Sequence, residues 1–186
     1  MNDVLKTIKE RFSCRGYTGE LIDKEKLIAI GNAALQSPSS RDSQNWEIII
    51  IHNKELLDEM NDAAMQHLKD TDNVVTYNRI MERGGQIFYN TSCMFLVVTP
   101  PNAHAEVALD CGIVAQNIAL AAQSLGLGNV IARMCEFPFV SAKSEEFKKR
   151  VGWKPGYNYG IGVLVGVCNK SKDPHETDPT KLNYID

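Results

Sequence analysis

Residues 105–128 read AEVALDCGIVAQNIALAAQSLGLG. The stretch predicts one long helix from Ala105 to Leu125, ended by Gly126, whose missing side chain suits a left-handed cap. Glu106, Asp110, Gln116, Asn117, Gln123 and Ser124 fall inside it, too many polar groups for a lipid environment, so it reads as a buried helix of a soluble fold. Apolar residues nevertheless occupy nearly its whole circumference. That is more surface than one small sheet can cover, and a second copy of the chain is the economical partner for the remainder.

On either side of this helix the pattern changes to strands. Met94–Thr99, MFLVVT, is a buried strand closed by Pro100 and Pro101, and Asn129–Met134 gives another. Tyr159–Val167, YGIGVLVGV, is a strand whose glycines permit close backbone approach. Trp46–His52, WEIIIIH, is apolar on both alternating faces except at Glu47, as expected of a central strand covered on both sides. Val4, Leu5, Ile8 and Phe12 mark an opening helix that ends around Ser13. A second helix starts at Asp23, turns Leu27, Ile28, Ile30, Ala34 and Leu35 inward, and stops before Pro38. Leu56, Leu57, Met60, Ala64 and Leu68 mark a third, and Ser141 caps a charged helix ending at Gly152.

Residues 70–90 have no clean period and carry Gly84-Gly85 among Arg79, Arg83 and Gln86. They predict a mobile excursion suited to a lid, with Tyr77, Asn78 and Arg79 as specificity candidates; a plain surface loop fits equally well. Strands alternating with helices predict a three-layer α/β or α+β sandwich around one sheet.

Composition narrows the function classes. A chain of 186 residues, 44% hydrophobic, is large enough for one domain with a cofactor pocket and small for two. Twenty basic and twenty-three acidic residues leave a net charge of −3, with no global field for nucleic acid or an anionic membrane, so any anion site is local. Cys14, Cys93, Cys111, Cys135 and Cys168 show no pairing motif, which fits reduced thiols in a cytoplasmic protein without a signal peptide. The four histidines lack ligand spacing, and neither a Walker motif nor a G-x-G-x-x-G fingerprint occurs.

Three clusters remain. Arg11-Phe12-Ser13-Cys14-Arg15 places two guanidinium groups and a hydroxyl at a helix end, donors suited to a phosphate monoester; a solvated basic helix terminus explains the same residues. Cys14 lies where neighbouring cations lower a thiol's pKa, yet a small residue packing at the helix end is the simpler account. Ser37–Trp46, SPSSRDSQNW, leads donors and acceptors into a strand, as a ligand loop or an ordinary polar turn would. Gly126-Leu127-Gly128 offers backbone N–H groups to a ligand or merely caps the helix.

In order and separation these pieces resemble the nitroreductase family along almost the whole chain. RFSCR at 11–15 resembles its Arg-x-Ser-x-Arg phosphate motif, and SPSSRDSQNW its Pro-Ser-x-x-Asn-x-Gln-Pro-Trp loop. FYNTSCMFLVV at 88–98 is similar to the lead into its second strand. DCGIVAQNIALAAQSLGLG at 110–128 is similar to its dimer helix and glycine exit, and GIGVLVG with Lys170, Lys172 and PHE at 174–176 to its last strand and basic turn. The resemblance implies an α+β three-layer sandwich with a central mixed or antiparallel sheet, one domain over residues 1–186, and a homodimer with a domain-swapped tail and one FMN at each of two interface sites.

Carried over by position, Arg11, Ser13 and Arg15, with Lys170 or Lys172, hold the flavin phosphate, and Phe12 among them belongs to the same cofactor-binding segment. Pro38, Ser39, Ser40, Asp42 and Gln44 approach the ring from the partner chain, and backbone near Ala132 and Arg133 meets flavin N5. Asp42 stands where the family carries asparagine, and its carboxylate accepts but cannot donate. Asn45 replaces the proline before Trp46. The implied activity is a ping-pong transfer of hydride from NADH or NADPH to a nitroaromatic, quinone or similar acceptor, with the flavin rather than a catalytic side chain carrying the chemistry. Other reductions on the same scaffold (enone, free flavin, dehalogenation) or a poorly turning-over flavin sensor or storage protein are the alternatives.

Overall fold

The computed structural model describes residues 1–186. Six α-helices and four strands follow one another as α1 (Asp3–Glu10), α2 (Lys24–Leu35), β1 (Glu47–Ile51), α3 (Lys54–Asp70), α4 (Val74–Met81), β2 (Cys93–Thr99), α5 (Val107–Ser124), β3 (Gly128–Ala132), α6 (Ser144–Arg150) and β4 (Asn158–Gly166). Short 3-10 segments lie at Ser40–Asp42, Arg133–Val140 and Pro179–Lys181.

The sheet has the order β1-β2-β4-β3 and every pairing is antiparallel. All of β2 is buried because both its faces are covered. Phe95 and Val97, with Val163 and Val165 of β4, face α2 and α5; Met94, Leu96 and Val98, with Leu164, face α3 and the 133–140 segment. This period of two puts one apolar cluster on each face and makes three layers.

The strand predicted at Trp46–His52 is real, but it sits at the edge of the sheet rather than its centre, and Ile50 is exposed. Ile28 and Leu35 of α2, expected to point inward, also remain exposed, and with Ile48 and Ile50 they line one shallow apolar cavity. Residues 70–90, expected to be irregular, contain α4, anchored by buried Ile80. Downstream, Asn61 Oδ1 accepts from the Ile87 and Phe88 N–H groups at 2.8 and 3.5 Å, pinning the return to β2.

Glycines decide how closely the layers approach. Gly126 ends α5 with φ +74°, as its sequence position predicts. In β4, a Cβ on Gly162 would come within 2.3 Å of Cys135 Cβ, and one on Gly166 within 2.7 Å of the Tyr17 ring. Tyr17 fills that space and its hydroxyl donates to Cys14 O or Leu164 O, 3.2 and 3.3 Å away, tying the segment after α1 to the sheet.

Candidate cofactor site

The chain leaving α1 is laid against the sheet by backbone pairing. Cys14 N–H donates to Asn129 O at 2.8 Å, Thr18 N–H to Val167 O at 3.0 Å, and Asn169 N–H to Gly16 O at 3.1 Å. These bonds bring residues 11–15 and the strand exit at 167–172 side by side, although more than 150 positions separate them in sequence. Arg11, Phe12, Ser13, Arg15, Lys172, Asp173 and His175 line a cavity of about 250 Å³. Lys172, not Lys170, reaches this space; the Lys170 stem packs over Gly16, where a Cβ would lie 2.7 Å from its Cε.

The cavity is cationic and uncommitted. Arg11, Arg15 and Lys172 form no ion pair, even though Asp173 lines the same wall. Arg15 donates only to Ser13 O, at 3.4 Å. Three cations and a hydroxyl converging without a carboxylate partner form a donor set that fits a phosphate monoester and is too polar for an apolar ligand. A larger cavity, about 750 Å³, opens between α6 and the start of β4. It contains none of the predicted residues, and its Lys148 and Lys154 are already paired with Glu145 and Glu47.

The Pro38–Gln44 loop is built differently. Arg41, Asp42 and Gln44 all take positive φ values, 57°, 51° and 45°, in a tight coil that needs fixing from outside. Inside the loop, Gln44 N–H donates to Ser39 Oγ and the Gln44 side-chain amide to Asp42 Oδ1, both at 2.9 Å. Outside it, buried Asp110 in the first turn of α5 accepts from Ser40 N–H at 3.2 Å. His104 Nε2 lies 2.9 Å from Ser43 Oγ and 3.1 Å from Asp110 Oδ2. Neither Asp110 nor His104 was singled out by motif. The available signal was an acidic residue in the first turn of an otherwise apolar helix, where a carboxylate complements the helix dipole.

Within one chain the two regions do not meet. Ser13 bridges to Asn129 beyond the C-terminal end of α5, whereas Asp110 holds the loop at its N-terminal end. Ala132 closes β3 with its carbonyl near the Tyr159 hydroxyl, at 3.2 Å, while the Arg133 side chain is exposed and loosely paired with Glu136 at 3.7 Å. Burial pushes the Tyr159 hydroxyl well above its ordinary pKa, so it stays protonated and donates.

The expectation of five reduced thiols fails at one pair. Cys14 and Cys168 form a disulfide with Cα atoms 6.6 Å apart, joining the two segments that supply the cavity's lining residues. Cys93, Cys111 and Cys135 remain free and buried, and burial pushes the Cys111 thiol up to about 11.

A model of the nitroreductase family matches residues 8–166. Among solved structures, the chain is similar to a nitroreductase with bound FMN from Desulfitobacterium hafniense, 43% identical with a TM-score of 0.94 and complete coverage of both chains. Among curated relatives, it is 30% identical to an Archaeoglobus fulgidus protein provisionally assigned as an NADH dehydrogenase/NAD(P)H nitroreductase, over 70% of this chain and 67% of that protein. It is also 26% identical to an FMN reductase [NAD(P)H] of Bacillus subtilis, over 70% of this chain but only 53% of the relative. Over those curated relatives the match therefore spans between about half and two thirds of their length.

Proposed function

The chain belongs to the nitroreductase family, and from that premise we propose that it is an FMN-dependent NAD(P)H oxidoreductase acting on flat, electron-poor acceptors such as nitroaromatics or quinones. The observation that carries this reading is the set Arg11, Arg15 and Lys172 around Ser13, cations that line one recess and form no ion pair, although Asp173 shares its wall. When bound, the flavin supplies the hydride chemistry, passing two electrons from nicotinamide to acceptor in a ping-pong cycle.

The protein's residues bind and orient. Arg11 and Arg15 neutralise the phosphate with forked donors, Lys172 adds a point charge from the tail, and Phe12 gives the recess an apolar wall. Ser39, Ser40, Asp42 and Gln44, with Pro38 at the loop's entry, present a preset polar edge to the ring, and backbone at Ala132 and Arg133 addresses its reacting side. Because Asp42 already accepts from Gln44, its carboxylate helps hold the loop in shape as well as offering an acceptor.

Because cradle and loop lie toward opposite ends of α5, we place each flavin between two chains, cradle from one and loop from its partner. Leu109 and Ile113 on α5, Val4, Leu5 and Ile8 on α1, and Leu182, Tyr184 and Ile185 in the tail are all exposed, and a homodimer with an exchanged tail covers such surface. The test is a flavin spectrum of the purified protein followed by NADH and NADPH oxidation across acceptor classes. Yellow protein that consumes a nicotinamide only with an acceptor present supports the reading. Flavin-loaded protein reduced by neither nicotinamide rules it out.

A further inference from the structure

We propose that the Cys14–Cys168 pair is a thiol–disulfide modification site that sets how tightly the phosphate cradle closes; this rests on the flavin reading above. Cys14 lies inside the Arg11–Arg15 segment, and Cys168 lies four residues before Lys172, so the bond joins the two walls of one anion site. Their Cα separation of 6.6 Å falls within the range a disulfide spans without backbone movement.

Space for the cross-link is made by a third element. A Cβ on Gly128 would lie 2.5 Å from Cys168 Cβ and 3.0 Å from Cys14 Sγ, so the strand carries glycine where the two side chains meet. Without the bond, the last ties of the tail to the cradle are Asn169 N–H to Gly16 O and the Asn169 side-chain amide to Tyr17 O, at 3.1 and 3.3 Å. Every residue beyond Cys168 is exposed. The covalent tie therefore decides how closely Lys172 is confined to the two arginines, and confinement raises the effective concentration of a donor at its site.

The two sulfurs are not equivalent. Cys14 is fully buried and Cys168 half-exposed, so an external thiolate attacks Cys168 and Cys14 departs as the leaving thiolate. A second thiol then releases Cys168. In the forward sense the two thiols together lose two electrons and two protons as their S–S bond forms, and a low-molecular-weight disulfide is cleaved to two thiols. Cys93, Cys111 and Cys135 are buried and take no part.

The experiment equilibrates the full protein with the oxidised or reduced form of a small dithiol, counts thiols after denaturation, and measures Kd for FMN and for riboflavin, which lacks the phosphate. The oxidised protein is expected to show three reactive thiols and the reduced protein five. FMN Kd is expected to rise about tenfold on reduction while riboflavin Kd stays level. Cys168→Ser is expected to bind FMN like the reduced wild type under both conditions. Five thiols in the oxidised sample, or an FMN Kd indifferent to redox state, overturns the switch alone. Failure of both states to bind FMN overturns the switch together with the flavin reading.

Discussion

The cradle at residues 11–15 and the loop at residues 38–44 solve one problem, holding polar groups still, by opposite means. The cradle's backbone is spliced onto the sheet edge through Asn129, Val167 and Asn169 and is locked by Cys14–Cys168, which leaves its cationic side chains free. The loop has no sheet to lean on. It carries three positive-φ residues and depends on the buried carboxylate of Asp110 and on His104. The difference implies that loss of one cradle cation acts locally, whereas loss of Asp110 is felt across the whole loop.

The largest effect is expected from Gly128→Ala. Its new Cβ meets Cys168 Cβ, which cannot swing aside while bonded to Cys14, and overpacking of this kind costs about 3 kcal/mol. Urea unfolding measures the loss; a change within about 0.5 kcal/mol would mean that the cross-link is not seated against β3. Asp110→Ala comes next. It strands Ser40 N–H and leaves His104 only its Ser43 and Glu106 contacts, and is expected to cost about 2 kcal/mol and to weaken FMN and riboflavin by the same factor. Selective loss of FMN would instead couple Asp110 to the phosphate and break the division between the two regions.

The smallest effect lies just past the loop, where Glu47 accepts from Lys154 and Tyr157. The Lys154 ammonium, then the Tyr157 hydroxyl, hold its carboxyl below the ordinary 4.5. A depressed carboxylate contributes stability above its unfolded pKa and loses it as pH falls through the lowered folded value. Glu47 is 38% exposed and Lys154 more so, and solvent screening keeps the contribution of the pair small. Lys154→Ala is expected to lose that little near pH 7 and to converge with wild type in acid, as chemical unfolding at several pH values would measure.

The same contrast explains what could be read in advance. RFSCR is contiguous, so its cluster of donors is visible along the chain, and β2 alternates between two covered faces, so its burial is too. The loop's anchors lie some 60–70 residues downstream, in residues whose types suit many roles. WEIIIIH resembles a central strand because isoleucine marks apolar surface without saying what covers it; at the sheet edge, nothing in this chain fully covers Ile50. The return from α4 is pinned by Asn61, a contact 26 residues away that leaves no periodic trace. The disulfide joins cysteines 154 positions apart, and no spacing rule could have paired them.

We propose that the unpaired cations at Arg11, Arg15 and Lys172 grip a flavin phosphate. Fluorescence titration of Arg15→Ala with FMN and with riboflavin, alongside its sedimentation behaviour, tests it most directly. Losing a charge-assisted donor worth about 2 kcal/mol predicts FMN binding weakened roughly thirtyfold, riboflavin binding unchanged and assembly state unchanged. Normal FMN affinity in Arg15→Ala, or equal losses for both flavins, would contradict the account.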